Sequence, residues 1–160
     1  MAKAKKAVPE GYQTVTPMLT FDECRKAIDW YKQALGAEEL SCSTGPDGKV
    51  MHAEIRIGDT RMMVHDAMMG NKGPKELGGS PAGLWVFVED CDTLFKRAAA
   101  AGATVRMLMD DQFWGDRCGT LTDPFGYGWS IATRKEDLTR AEMDQRAAEF
   151  FKQMGAGPKK

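Results

Sequence analysis

The sequence predicts an α+β fold: two βαβββ modules whose curved mixed sheets surround a cavity, followed by a C-terminal helix. Three observations lead there. Residues 21 to 37 (FDECRKAIDWYKQALGA) and 87 to 103 (FVEDCDTLFKRAAAAGA) look like copies of one unit, with Phe21, Gly36 and Ala37 recurring 66 positions on as Phe87, Gly102 and Ala103. Each copy passes from an alternating apolar segment through an amphipathic helix to a glycine stop, and three further segments of strand character follow it. Beyond the second copy, Thr139 and Glu142 make a capping box with Leu138 and Met143 as its staple, the start signal of a last helix.

A chain of 160 residues can bury roughly 70% of its unfolded surface, so one domain with its own core is expected. The divisions read as an N-terminal tail (1–11), module one (12–66), a linker (67–82) and module two (83–135). A C-terminal helix (136–155) and a tail (156–160) complete the chain. The Lys-rich ends, MAKAKK and GAGPKK, read as frayed, solubilising tails. A net charge of −1 provides no field for nucleic acid or an anionic membrane. No stretch approaches the ~18 apolar residues of a membrane span, and the N-terminus has no signal-peptide apolar run. Cys24, Cys42, Cys91 and Cys118 stand far apart with no C-x-x-C pair, which fits reduced thiols rather than a zinc knuckle or disulfide frame. The expected compartment is the cytoplasm, with no nucleic-acid or membrane partner.

Val15 to Phe21 alternates as a strand, with Pro17 at a bulge or unpaired position. Asp22 can cap the helix that follows, Ile28, Tyr31 and Leu35 form its inward stripe, and Gly36 ends it. Glu39 to Ser43, Val50 to Ile57 and Thr60 to His65 are the next strands, the last two joined by a Gly58-Asp59 hairpin turn. After the Gly- and Pro-rich linker, Leu84 to Val88 is a strand and Asp92 to Ala101 a helix with Leu94, Ala98 and Ala101 inward and Gly102 as its stop. Thr104 to Met109, Asp116 to Thr122 and Tyr127 to Thr133 complete the second set, with Asp123-Pro124-Phe125-Gly126 as the last turn. Met143, Ala147, Phe150 and Met154 make one stripe on the C-terminal helix, suited to docking on the body or on a second subunit.

Counted outward from Gly58-Asp59, Ile57 faces Thr60, Glu54 faces Met63 and His52 faces His65. Period two then places His52, Glu54, Arg56, Met63 and His65 on one face and Met51, Ala53, Ile55, Met62 and Val64 on the helix-covered other. Two histidines beside a glutamate can also serve as a metal set, so a divalent cation on His52, Glu54 and His65 is the alternative to a metal-free polar wall. In module two, Leu84, Val86 and Val88 suit the helix, which turns Trp85 and Phe87 to the cavity as stacking surfaces. Trp129 belongs to the core. The run Asp111 to Arg117 suits a cavity rim, with Trp114 as wall and Arg117 either as an anion clamp or in a local ion pair with Asp116. No nucleophile–base pair, phosphate-cradling glycine loop or metalloprotease motif occurs.

With the two modules, FDECRKAIDWYKQALGAEEL, GDRCGTLTDPFGYGWSIAT and DQFWGDR in view, residues 13 to 150 resemble the vicinal oxygen chelate superfamily. Within it the PhnB-like branch of glyoxalase/bleomycin-resistance proteins is most similar. The resemblance implies a cup between the sheets, and in metal-using relatives four ligands on the first and last strand of each module. Those positions fall here on Thr16, Met63, Gly83 and Ser130, which supply neither His nor Glu, so no cofactor is expected. It also turns His65, Trp85 and Phe87 into the cup, and implies a homodimer, with modules exchanged or side by side. The expected ligand-binding set is His52, Glu54, Met63, His65, Trp85, Phe87, Trp114, Arg117 and Ser130, acting on a small organic molecule. A metal-dependent lyase or dioxygenase is the alternative, and whether a reaction is catalysed stays open.

Overall fold

The computed structural model describes residues 4–155, so the outermost parts of both Lys-rich ends lie outside the described residues. Module one contains β1 (Met18–Phe21), α1 (Cys24–Leu35), β2 (Glu38–Thr44), β3 (Val50–Ile57) and β4 (Thr60–Asp66). The linker carries a short α2 (Pro74–Leu77), and module two contains β5 (Gly83–Phe87), α3 (Cys91–Ala100), β6 (Thr104–Asp111), β7 (Asp116–Thr122) and β8 (Gly128–Arg134). The chain ends in α4 (Arg140–Gly155). Two four-stranded sheets result, ordered β1-β4-β3-β2 and β5-β8-β7-β6. In each the first strand runs parallel to the last, and all other neighbours are antiparallel.

The Gly58-Asp59 turn sets the expected register, with Ile57 opposite Thr60 and Glu54 opposite Met63. Arg56 does stand opposite Arg61, and each guanidinium finds its own carboxylate, Glu38 and Glu54 respectively. That separation removes the repulsion a like-charged cross-strand pair would otherwise carry.

Local signals were partly overruled. β1 begins at Met18, leaving Val15 exposed and Thr16 bonded to the Gln13 carbonyl before the strand; Pro17 contributes its carbonyl to the Met63 N–H. Asp22 does not cap α1. The N-cap is Glu23 without a side-chain bond, and the free Cys24 N–H is taken by Asp66 Oδ1 at 2.7 Å. The other Asp66 oxygen accepts from Val50 N–H, also at 2.7 Å, so one buried carboxylate ties α1 to β3 and β4. In α3, Asp90 caps by accepting from Thr93 N–H, and Phe95 and Ala98 are buried while Leu94 and Ala101 are only partly covered. Ala98 is thus buried as expected, with Phe95 in the core where Leu94 was expected. The capping box of α4 forms, Thr139 N–H to Glu142 at 2.8 Å and Glu142 N–H to Thr139 Oγ1 at 3.3 Å. No residue of α4 is buried; its contact with the body includes the Phe150 ring, 5.0 Å from that of Phe113.

One core runs through both modules. Tyr31 of α1 donates to Asp123 at 2.5 Å, and Trp129 Nε1, Phe125 N–H and Tyr127 N–H converge on the same carboxylate. Burial pushes the Asp123 carboxyl above the usual aspartate value against these four donors. Trp30 Nε1 donates to the Ala101 carbonyl across the module boundary. Because α1, α3 and the helix-bearing faces of both sheets share this core, the opposite face of each sheet lies on the outside. Among the described residues no helix is long and apolar enough to cross a membrane.

Candidate functional site

The outer face of the first sheet carries Met18, Thr20, His52, Glu54, Arg61, Met63 and His65, by the pairing of β1, β3 and β4. His65 is only 6% exposed. Its Nδ1 must donate to the Asp66 carbonyl at 2.8 Å, which leaves Nε2 to pair with Thr20 Oγ1 at 3.1 Å. His52 stays half-exposed with its Nε2 3.7 Å from Glu54. Glu54 also meets Arg61, and Arg61 lies under the Tyr12 ring, 5.2 Å from its centroid. The nearby Glu54 carboxylate pushes the Tyr12 phenol up. Tyr12 and Arg61 are thus part of this wall, and only their placement in three dimensions shows it.

The outer face of the second sheet is apolar and open at Trp85 and Phe87, while Ala132, Cys118 and Asp116 on the same face are buried. Trp85 sits beside Ser130 and Phe87 beside Ala132. Trp85 is 47% and Phe87 59% exposed, their ring centroids 5.8 Å apart. Met107 of β6, which reaches Ser130 through Thr120, adds further exposed apolar surface. One expected member lies elsewhere. Arg117 pairs with Thr133, whose hydroxyl bonds Val88 C=O and Cys91 N–H, so it stands on the helix side. There it binds Asp92 through two bonds of 2.7 and 2.8 Å, with Asp111 as a further partner. Asp116 instead holds Arg134 and the Trp114 indole, and Trp114 packs on Phe113 beneath α4. Arg117 holds the Asp92 carboxyl below the usual range; the sequence neighbour Asp116 was not its partner.

A cavity of about 680 Å³ lies between the modules. Leu84 and Val86 of β5, Val88 just beyond it, Leu94 of α3 and Trp129 form one side; Ile57 to Thr60, at the β3–β4 tip, and Met62 form the other. Trp85 and Phe87 reach its edge, whereas His52, Glu54, Met63, His65 and Ser130 do not line it. The volume suits a small molecule.

This arrangement of paired open sheets can be set beside known proteins. A sequence profile of the Glyoxalase/Bleomycin resistance protein/Dioxygenase superfamily matches residues 14–131. The chain belongs to this superfamily. An uncharacterised protein of Mycobacterium bovis is 41% identical over 134 residues, 81% of this chain and 88% of the relative. Protein YjdN of Escherichia coli is 30% identical over 152 residues, 79% of this chain and 99% of the relative. Among solved structures, a PhnB protein from Bacillus cereus superposes with a TM-score of 0.60 at 21% identity, over 76% of this chain and 99% of that one.

Divalent-metal chemistry is implied for a member of the superfamily, so the fit of these residues to a cation matters. Thr16 lies outside β1, Gly83 has no side chain, Met63 offers a thioether and Ser130 a hydroxyl. Such donors do not fit a hard divalent cation. Among the described residues no three His, Cys, Asp or Glu side chains come together in a way that could hold a metal ion, His52, Glu54 and His65 included.

Proposed function

We propose that this protein is a PhnB-like member of its superfamily that binds a small, partly aromatic organic molecule in a cup completed by a second copy of the chain, without a metal at the inherited positions. One observation carries the reading: the helix-bearing faces of both sheets share a core, so the faces bearing His52, Glu54 and Met63, and Trp85, Phe87 and Ser130, cannot meet within one chain. Pairing two copies, so that the first sheet of one faces the second sheet of the other, brings them together and covers the exposed Trp85, Phe87 and Met107. Trp85 and Phe87 then form the apolar wall, and His52 and Glu54 orient the ligand's polar groups. Arg117, committed to Asp92 on the helix side, has no part in the cup.

Complementation tests this. Glu54→Leu disables one wall and Trp85→Ala the other. In an exchanged dimer each homodimer loses both cups, while a mixed dimer holds one intact cup and one doubly damaged. Titration of an aromatic small-molecule panel by native mass spectrometry should find one binding event in the mixed dimer and none in either variant alone. Equal binding by Glu54→Leu homodimers and wild type contradicts the proposal.

A further inference from the structure

The inter-module cavity has a counterpart that is already filled. Structurally, equivalent residues of the modules stand 67 positions apart: the N-caps Glu23 and Asp90 correspond, as do the pairs Thr20–His65 and Phe87–Ala132. Leu19 and Phe21 of β1 therefore correspond to Val86 of β5 and to Val88 just beyond it. Leu19 is 3% and Phe21 1% exposed, sealed by the turn before β8. From that turn the Phe125 and Tyr127 rings sit 5.7 and 5.3 Å from Phe21. The Tyr127 hydroxyl clasps the open edge of β1, donating to Thr20 C=O at 2.9 Å and accepting from Thr20 N–H at 3.0 Å.

The corresponding turn of module one, Gly58-Asp59, approaches β5 in the same way and carries no ring. In α3, Ala98 stands where α1 has Tyr31. Val86 and Val88 are accordingly only partly covered, and the space above them is the cavity. β5 is an edge strand. Its Val88 N–H bonds the Ala132 carbonyl, so alternation turns the N–H and C=O of Phe87, the counterpart of Thr20, to the open side.

We propose that this cavity is a binding site for a phenol, with the aromatic ring against Val86, Val88 and Leu94 and the hydroxyl bridging the Phe87 N–H and C=O, as Tyr127 does at Thr20. The site lies on the helix side of β5 and shares only Trp85 and Phe87, at its edge, with the two-chain cup. A compact one- or two-ring ligand with one hydroxyl fits the space that two aromatic side chains fill in the other module.

The test is titration of the full chain with 4-ethylphenol, followed by backbone amide NMR. Binding should shift the Leu84 to Val88 and Leu94 amides. The methyl ether, 4-ethylanisole, which cannot donate, should bind about tenfold more weakly. Val86→Phe and Leu94→Trp, two independent ways of filling the cavity, should each abolish the shifts while keeping a dispersed spectrum. Equal binding of phenol and ether, shifts centred on His52 and Met63, or no shift at millimolar phenol each overturn the proposal.

Discussion

Module one and module two share a strand order but not a state of closure. In module one the helix-facing side of the first strand is sealed by rings delivered from the other module. In module two the matching side of β5 stays half-open beneath a ringless Gly58-Asp59 turn. A duplicated unit need not duplicate its core. One turn, Asp123 to Tyr127, supplies to β1 what nothing in the described chain supplies to β5.

Chemically matched truncations break or sharpen that contrast most strongly. Leu19→Ala should cost about 2–5 kcal/mol in urea unfolding, the usual range for a buried leucine. Leu84→Ala, on the same side of β5 but partly exposed, should cost less than half as much; equal losses would mean β5 is as sealed as β1. Enlargement should invert the order. Ala27, fully buried, corresponds to Leu94, so Ala27→Leu overpacks module one at about 1–3 kcal/mol, whereas Leu94→Trp fills empty space and should stay within ~1 kcal/mol of wild type. Tyr127→Phe keeps the ring but leaves the Thr20 N–H and C=O without their clasp, an expected loss of about 1–3 kcal/mol by thermal or urea unfolding.

The smallest effect concerns Arg117. With its carboxylate partner's pKa depressed, the pair favours the folded state above the ordinary aspartate pKa and loses that contribution as pH falls through the lowered folded value. Arg117→Ala should therefore be slightly less stable at neutral pH, the gap closing in acid, and ligand binding should be unchanged because the side chain lies on the helix side. A binding defect in this variant would move Arg117 back into the cup.

Much of the fold was legible because its signals are local. A two-residue Gly58-Asp59 turn fixes register, and period two then fixes the face of every residue in β3 and β4. What failed was anything that depended on distant partners. The cap of α1 comes from Asp66, and Arg117 is held by Asp92 rather than adjacent Asp116. The residue repeat itself misled by one position. It matched Phe21 with Phe87, yet the structure matches Phe21 with Val88, and a one-residue slip exchanges the faces of a strand. For the candidate site, the alternation in β5 correctly turned Trp85 and Phe87 away from α3. That the two outer faces point apart could not be read, because it follows from Tyr31 and Asp123 joining the modules through one core.

Sedimentation equilibrium on the wild-type chain and on Trp85→Glu addresses the central claim, that a second copy closes the outer faces. Wild type should sediment at twice the 17.7 kDa chain mass at micromolar concentration, and Trp85→Glu, which buries a charge in the joint face, should shift toward the single-chain mass. A wild-type protein that sediments as a single chain, or a Trp85→Glu dimer as tight as wild type, would contradict it.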